Sequence, residues 1–283
     1  MLKQRVITAV LLLAVLIPSV LYPSVIPFGV ASLILMACGA WEWSRLNGFG
    51  HGVAVGHGVL FATACACLWV FGGLNLPLRM LWTVGGAFWV LAGAWLLSRG
   101  AARWKLLPQA LRLLGGLAVL LLAWLAVMQA RAVGINYLLS VMVLVWVADI
   151  GAYFCGRTFG GKLFKRKLAP SISPGKTWEG VLGGAAGVVL LAVLWISLEK
   201  NGNLASRSLY TVLADNGRGY LVLCVLFLSA MSVVGDLVES LFKRLAGVKD
   251  SSGLLPGHGG ILDRVDALLP TLPLALMLSS FGG

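Results

Sequence analysis

Charge is scarce in this sequence. Only 11% of its 283 residues are Asp, Glu, Lys or Arg, whereas a soluble globular domain carries about 25%. Acidic side chains are the scarcer kind, 10 against 22 basic ones. A water-covered domain of ordinary surface is therefore excluded. The five cysteines are odd in number and include no C-x-x-C pair. They offer neither a disulfide framework nor the thiol spacing of a zinc site. His51 and His57 flank the stretch H-G-V-A-V-G-H with no carboxylate or thiol beside them, so a Gly-rich turn is expected there rather than a metal site. No internal repeat or low-complexity linker divides the chain.

Apolar residues fill the space that charge leaves. They make up 59% of the chain, with a mean hydropathy of +0.94. They gather into runs of the ~20 residues that a helix needs to cross hydrocarbon with its backbone satisfied. The expected fold class is all-α, a multi-pass transmembrane helical bundle of about nine spans with a cytoplasmic N-terminus. The spans fall near Val6–Leu21, Phe28–Trp41, Val53–Phe71, Leu81–Leu97 and Leu113–Ala130, then Ile135–Phe154, Val181–Leu198, Tyr220–Val234 and Leu262–Phe281. Pro18, Pro23 and Pro27 interrupt the first two runs, which leaves open a kinked hairpin or a re-entrant pair.

Basic residues orient the bundle. With nine spans, 17 of the 22 lie on the side of the N-terminus, from Lys3, Arg5 and Arg45 through Arg99, Arg103, Lys105 and Arg112 to Arg264. The other side holds only five: Arg79, Arg131, Lys200, Arg207 and Arg218. That asymmetry is the one expected between cytoplasmic and external loops. It accounts for most of the formal charge of +12 without nucleic acid as a partner. Lys3 and Arg5 precede an apolar run with no clean small-residue cleavage site after it, so the run reads as a retained anchor in the inner membrane.

Two regions differ in character. Residues 1–134 read as mainly structural transmembrane helices, with Trp41, Trp43, Trp69, Trp82, Trp95 and Trp104 near run ends as interface anchors. Residues 135–283 read as a catalytic transmembrane region with cytoplasmic loops, because polar side chains cluster there at the ends of spans. A charge at a helix centre costs about 2.5–3.5 kcal/mol on insertion scales, so such clustering points to a site.

Three clusters carry the chemistry. In W-V-A-D-I-G-A-Y-F-C-G-R, Asp149 and Tyr153 share a helix face at i and i+4. Asp149 either lines a cavity or pairs with Arg157. In the second cluster, Lys162 to Lys167 form a basic segment suited to topological anchoring or to anionic headgroups. After it, S-P-G-K-T imitates the end of a P-loop, but Pro170 stands where the first glycine belongs and no buried strand precedes it. Ser173, Lys176 and Thr177 still offer hydroxyls and an ammonium to phosphate at a helix start, with Glu179 placed to cap that helix.

The third cluster is the densest. Asp236, Ser240 and Lys243 fall at i, i+4 and i+7 with Glu239 on the same flank, one polar stripe on a helix end. Lys249, Asp250 and Gly253 occupy the loop that follows, and Pro256-Gly257-His258-Gly259-Gly260 leads into the last helix. Glycines there would let backbone N–H groups approach an anionic ligand. Asp263 and Asp266 open that helix on one face with Arg264 between them. Carboxylates aimed at a common space beside Lys and Arg suit Mg²⁺ carrying phosphates.

At these residues the sequence resembles the phosphatidate cytidylyltransferases, also called CDP-diacylglycerol synthases. The family signature is matched by Ser240, Lys243, Arg244, Lys249, Asp250, Pro256, His258, Gly259, Gly260, Asp263, Arg264 and Asp266, and the D-x-G-A-Y and S-P-x-K-T-x-E-G segments also look like the family's. The resemblance runs from Asp149 to Asp266. It implies an all-helical, multi-pass homodimer that condenses CTP with phosphatidate in the bilayer, giving CDP-diacylglycerol and pyrophosphate with Mg²⁺. It also implies that Asp236 and Asp263 are metal ligands, and that a second, monovalent cation such as K⁺ accompanies the site.

The expected chemistry is in-line attack by a phosphatidate oxygen on the α-phosphorus of CTP. Lys243, Lys249 and Arg264 would offset charge, Ser173, Lys176 and Thr177 would grip a phosphate, and Asp149 would line the cavity. Three rivals predict other features. A transporter would repeat its broken helices in two halves, but the polar clusters lie in one. A CDP-alcohol phosphotransferase would need a D-G-x-x-A-R core, which is missing. A membrane scaffold would tolerate substitution along the polar stripe.

Overall fold

The computed structural model describes residues 2–75, 78–99, 104–202 and 205–281; Arg103 of the basic set lies outside them. The described chain is helical throughout, without a strand, and its bridges are isolated. In order the helices are α1 (Leu2–Leu21), α2 (Ile26–Leu46), α3 (His51–Val70), α4 (Arg79–Arg99), α5 (Gln109–Val133) and α6 (Ile135–Phe159). Then follow α7 (Trp178–Asn201), α8 (Leu209–Ala214), α9 (Arg218–Leu245), α10 (Leu262–Val265) and α11 (Leu268–Ser280).

Eight of these helices are long and apolar enough to cross a membrane. The first two runs are separate helices and not a re-entrant pair. Pro23 falls between them, and Pro27 sits in the first turn of α2, where a missing N–H leaves no bond unmade. The ninth run is split into α10 and α11. Pro270 has no N–H for the Asp266 carbonyl four residues back, so the ladder cannot continue through that point. Gly235 of α9 packs against this break, where any Cβ would meet the Asp266 carbonyl oxygen and the Pro270 ring.

The 13 residues of α11 extend about 20 Å, less than the ~30 Å of bilayer hydrocarbon. Leu269 to Leu276 are buried on every side, as befits a helix that is apolar all round. α4, α5 and α9 surround it, and the core is centred there. The turn expected between His51 and His57 lies earlier, at Asn47–Gly50; both histidines are on α3, and His57 Nδ1 is 2.8 Å from Ser44 Oγ.

Two local devices place the polar clusters. α6 and α7 form the most extensive helix pair, and glycines bring their backbones together. A Cβ on Gly184 would lie 2.5 Å from the Ala148 carbonyl oxygen, and one on Gly180 would lie 2.8 Å from that of Ala152. α9 ends in a Schellman motif: Val248 N–H donates to Lys243 O at 3.0 Å and Gly247 N–H to Arg244 O at 3.1 Å, with Gly247 at φ +74°. That stop turns the following loop back over the helix end.

Candidate active site

Asp263 organises the loop between α9 and α10. Its Oδ2 accepts from Ser251 N–H at 2.9 Å, Ser251 Oγ–H at 2.9 Å and Gly260 N–H at 2.8 Å, while Oδ1 takes the Lys243 ammonium. Burial alone would raise this carboxyl, but Lys243 and the loop N–H donors hold it below the usual carboxylate range. The glycines of P-G-H-G-G serve this wrapping. Gly259 has φ +84°, and a Cβ there would come within 2.7 Å of Asp263 Oδ2. At Gly260 a Cβ would collide with Ser251 Oγ and Glu42 Oε1. The anionic groups nearest these two glycines are the protein's own carboxylates, Asp263 and Glu42.

Along α9 the expected stripe is formed. Ser240 Oγ–H donates to Asp236 Oδ1 at 3.2 Å, and Lys243 lies against both Glu239 and Asp263. Glu239 is 6% exposed, and neither of its oxygens has a directed hydrogen bond, the Lys243 ammonium lying beside it as an ion pair only. Lys176 reaches across from the S-P-G-K-T segment to Asp236 Oδ2. Asp149 feels the charges of Asp236, Lys176 and Arg264, and Arg157 bonds Tyr153 at 2.9 Å. At the α10–α11 break, burial first and then the neighbouring Asp236 charge push the Asp266 carboxyl well above its ordinary range.

The chain therefore brings together Asp149, Lys176, Asp236, Lys243, Asp263 and Asp266, all from residues 135–283, on helix ends and the loops between them. Ser173 closes a turn with its N–H to Ala169 O at 2.9 Å. Thr177, not Glu179, caps α7 by accepting Gly180 N–H at 3.1 Å. Glu179 Oε1 instead accepts from the N–H groups of Gly161, Leu163 and Phe164 and fixes the preceding loop. Lys249 and Asp250 are exposed on their loop. Arg264 turns to the His258 carbonyl at 2.8 Å, and His258 Nδ1 is buried with no partner among the described residues.

One residue escaped the sequence reading altogether. Glu42 of α2 is fully buried, and its two oxygens accept Ile261 N–H at 2.9 Å, Leu262 N–H at 2.8 Å, Ser251 Oγ–H at 3.1 Å and Ser252 Oγ–H. It clamps both ends of the P-G-H-G-G loop. α1 adds a second brace, Thr8 Oγ–H to Pro256 O at 2.9 Å. The only sequence signal was a carboxylate in an apolar run, between Trp41 and Trp43, which is itself costly in a membrane helix.

Residues 3–281 match the Cytidylyltransferase family. The chain belongs to that family. It is 38% identical over 282 residues to a phosphatidate cytidylyltransferase of Pseudomonas aeruginosa, covering 96% of this chain and 95% of the relative. A phosphatidate cytidylyltransferase of Haemophilus influenzae is 36% identical over 292 residues, with 96% of each chain covered. One from Bacillus subtilis is 43% identical over 145 residues, 51% of this chain and 48% of its own.

For a cytidylyltransferase the donor set can be tested against a dication. Asp236 and Asp263 each hold a lysine ammonium on one oxygen, so both carboxylates stand opposite positive charge. The donors are hard carboxylate oxygens, as Mg²⁺ prefers. Among the described residues no three His, Cys, Asp or Glu side chains converge to enclose a metal unaided. Mg²⁺ is commonly held by one or two carboxylates plus substrate phosphates.

Proposed function

We propose that this cytidylyltransferase transfers the cytidylyl group of CTP to phosphatidate, releasing pyrophosphate and forming CDP-diacylglycerol for phospholipid synthesis. The observation that carries the reading is the pairing of Asp236 and Asp263 with ammonium groups from other segments at one end of a transmembrane bundle. A soluble polyanion and a lipid polyanion can meet only at such a boundary. We read the site face as cytoplasmic and the membrane as the inner membrane, in keeping with the basic bias of its loops.

A phosphate oxygen of phosphatidate attacks the α-phosphorus of CTP. The new P–O–P bond forms as the α–β anhydride breaks, and the bonding pair leaves with pyrophosphate. The nucleophile is already an anion, so no strong general base is required. The protein's work is positioning and charge neutralisation. Lys243, Lys249 and Arg264 offset the charge on the leaving group. Ser173, Lys176 and Thr177 hold one substrate's phosphate, and Lys176 exchanges its Asp236 partner for that phosphate. Asp149, Asp250, His258, Gly259, Gly260 and Asp266 shape the surrounding cavity. Mg²⁺, when held by Asp236 and Asp263, supplies further neutralisation at the CTP phosphates.

Asp236 is the cleaner probe of the pair, because Asp263 also ties the loop together. The Asp236 side chain is 31% exposed and, among the described residues, is bonded by Ser240 and Lys176. Asp236→Asn should keep the wild-type elution profile and melting temperature while lowering formation of labelled CDP-diacylglycerol by about 10²–10³-fold, the scale of losing one preorganised electrostatic contact. Turnover at the wild-type rate would refute its role.

A further inference from the structure

Behind the polar stripe lies a cavity of about 350 Å³ between α2, α4, α5, α9 and α11, within the ~300–1,000 Å³ typical of ligand pockets. Its walls are almost wholly apolar, with Trp43, Trp89, Trp104 and Phe242 the bulkiest. Gly235 and Leu262 form its inner wall, each next in sequence to one of the two candidate metal-binding aspartates. The one carboxylate in that wall, Glu239, is already paired with Lys243.

On its other side the cavity is bounded by exposed apolar side chains of two helices long and apolar enough to cross a membrane. Phe88 and Trp95 of α4 and Leu111 of α5 line it and are 50%, 40% and 56% exposed. α4 and α5 meet where a Cβ on Gly85 would come within 2.6 Å of Leu122; towards the Trp95 and Leu111 end the cavity separates them. Adjoining it is a small polar recess that shares Trp43, Leu46, Trp104 and Phe242 and adds Lys105 and Arg112. Arg112 Nε is buried there without a hydrogen-bond partner among the described residues. A buried guanidinium donor left open is costly, and it is aimed beside an apolar slot. The combination matches an amphiphile with an anionic head and a hydrocarbon tail.

We propose that the slot receives phosphatidate from the bilayer, one acyl chain filling the cavity and the phosphate drawn first to Lys105 and Arg112; this rests on the cytidylyltransferase reading above. The lipid substrate is then held by α2, α4 and α5, immediately behind the helix ends that carry Asp236 and Asp263. Chain length is sensed by how much of the cavity a tail can fill.

Gly115 supplies the test. It lines the cavity, and a Cβ there meets nothing within 4 Å, so Gly115→Phe fills the space without a clash at its base. Ala92→Phe does so from the facing helix. Retention of dioleoyl phosphatidate by the purified full chain, without CTP, is read by native mass spectrometry beside dioleoyl phosphatidylglycerol and phosphatidylcholine. Both variants should lose about ten-fold in phosphatidate retention, the scale of a few excluded methylenes. Arg112→Ala should lose phosphatidate but not phosphatidylcholine. In turnover, Gly115→Phe should lower kcat/KM for dioleoyl phosphatidate more than for dioctanoyl phosphatidate, while the KM for CTP stays at the wild-type value.

Wild-type retention in both filled variants would overturn the proposal, as would equal retention of phosphatidylglycerol and phosphatidate by the wild type. A wild-type protein that makes no CDP-diacylglycerol, yet loses phosphatidate when Gly115 is filled, would support the slot and refute only the reaction.

Discussion

Glu42 shows what a single buried carboxylate can hold in place. Its side chain accepts from two backbone N–H groups and two serine hydroxyls, 209 to 220 residues away in sequence. Hydrogen bonds to a charged group contribute about 1.5–3 kcal/mol each. Glu42→Gln keeps the volume but turns one acceptor into a donor facing another donor, Leu262 N–H or Ile261 N–H. The loop carrying Asp263 should then loosen, and kcat should fall about 10- to 150-fold if one such bond is lost from the transition state. Steady-state kinetics checks this, with Glu42→Asp restoring part of the rate and Glu42→Gln not. Unchanged kcat would make Glu42 a folding residue only. The stripe on α9 was legible in the sequence because Asp236, Ser240 and Lys243 recur at helical spacing. Glu42 was not, because its neighbours are tryptophans and its partners are brought to it by the fold alone. Glu179 failed for a related reason: spacing placed it in a first turn, but only the path of residues 161–164 decides which N–H groups reach it.

At the scale of elements, long apolar runs placed the spans, since hydrocarbon thickness sets helix length. But α9 runs on from the expected end at Val234 to Leu245, because its polar stripe continues the helix past the apolar run. The last run deceived because its composition is that of a span while its helix is interrupted at Asp266–Ala267, ahead of Pro270. Burial by surrounding helices, not lipid, satisfies that apolar surface. The glycines of α7 carry the second lesson. Gly180, Gly183 and Gly184 look like ordinary small residues in a membrane helix, yet they set how closely Lys176 approaches Asp149 and Thr177 approaches Gly156. Gly184→Ala must push against the Ala148 backbone, where no side chain can yield. Overpacking of this kind costs about 1–3 kcal/mol. The expected outcome is a lowered melting temperature together with a raised KM for substrate, measured by nano-scale fluorimetry and kinetics on the same preparation. Gly56→Ala on α3, which meets open space away from the cavity, should leave the KM unchanged and not lower the melting temperature, and serves as the control. A variant Gly184→Ala as stable and active as wild type would show that α6 and α7 can slide apart without cost to the site.

For the whole molecule, the contacts tie several chain ends to one face. Thr8 of α1 bonds Pro256, Glu42 near the end of α2 bonds Ile261, Lys176 before α7 pairs with Asp236 of α9, and Glu179 holds the 161–164 loop. These segments touch, so they lie on one side of the membrane, and fixing the side of any one fixes all. The opposite end holds α8, the Arg207–Asp215 pair at 2.6 Å and the Glu199–Ser208 bonds, so its basic residues are partly neutralised locally. The positive-inside rule counts Lys and Arg near the ends of spans, and it is what supports the proposal that the site faces the cytoplasm. In a variant with all five cysteines replaced, Lys162→Cys on the site face and Asn216→Cys on the other are both exposed. A membrane-impermeant maleimide added to intact spheroplasts should modify Asn216→Cys alone. Inverted vesicles should reverse the pattern and label Lys162→Cys. The reverse result in spheroplasts would put the loop of Asp263 outside the cell, away from the nucleoside triphosphate pool, and the proposed reaction would then lack its soluble substrate.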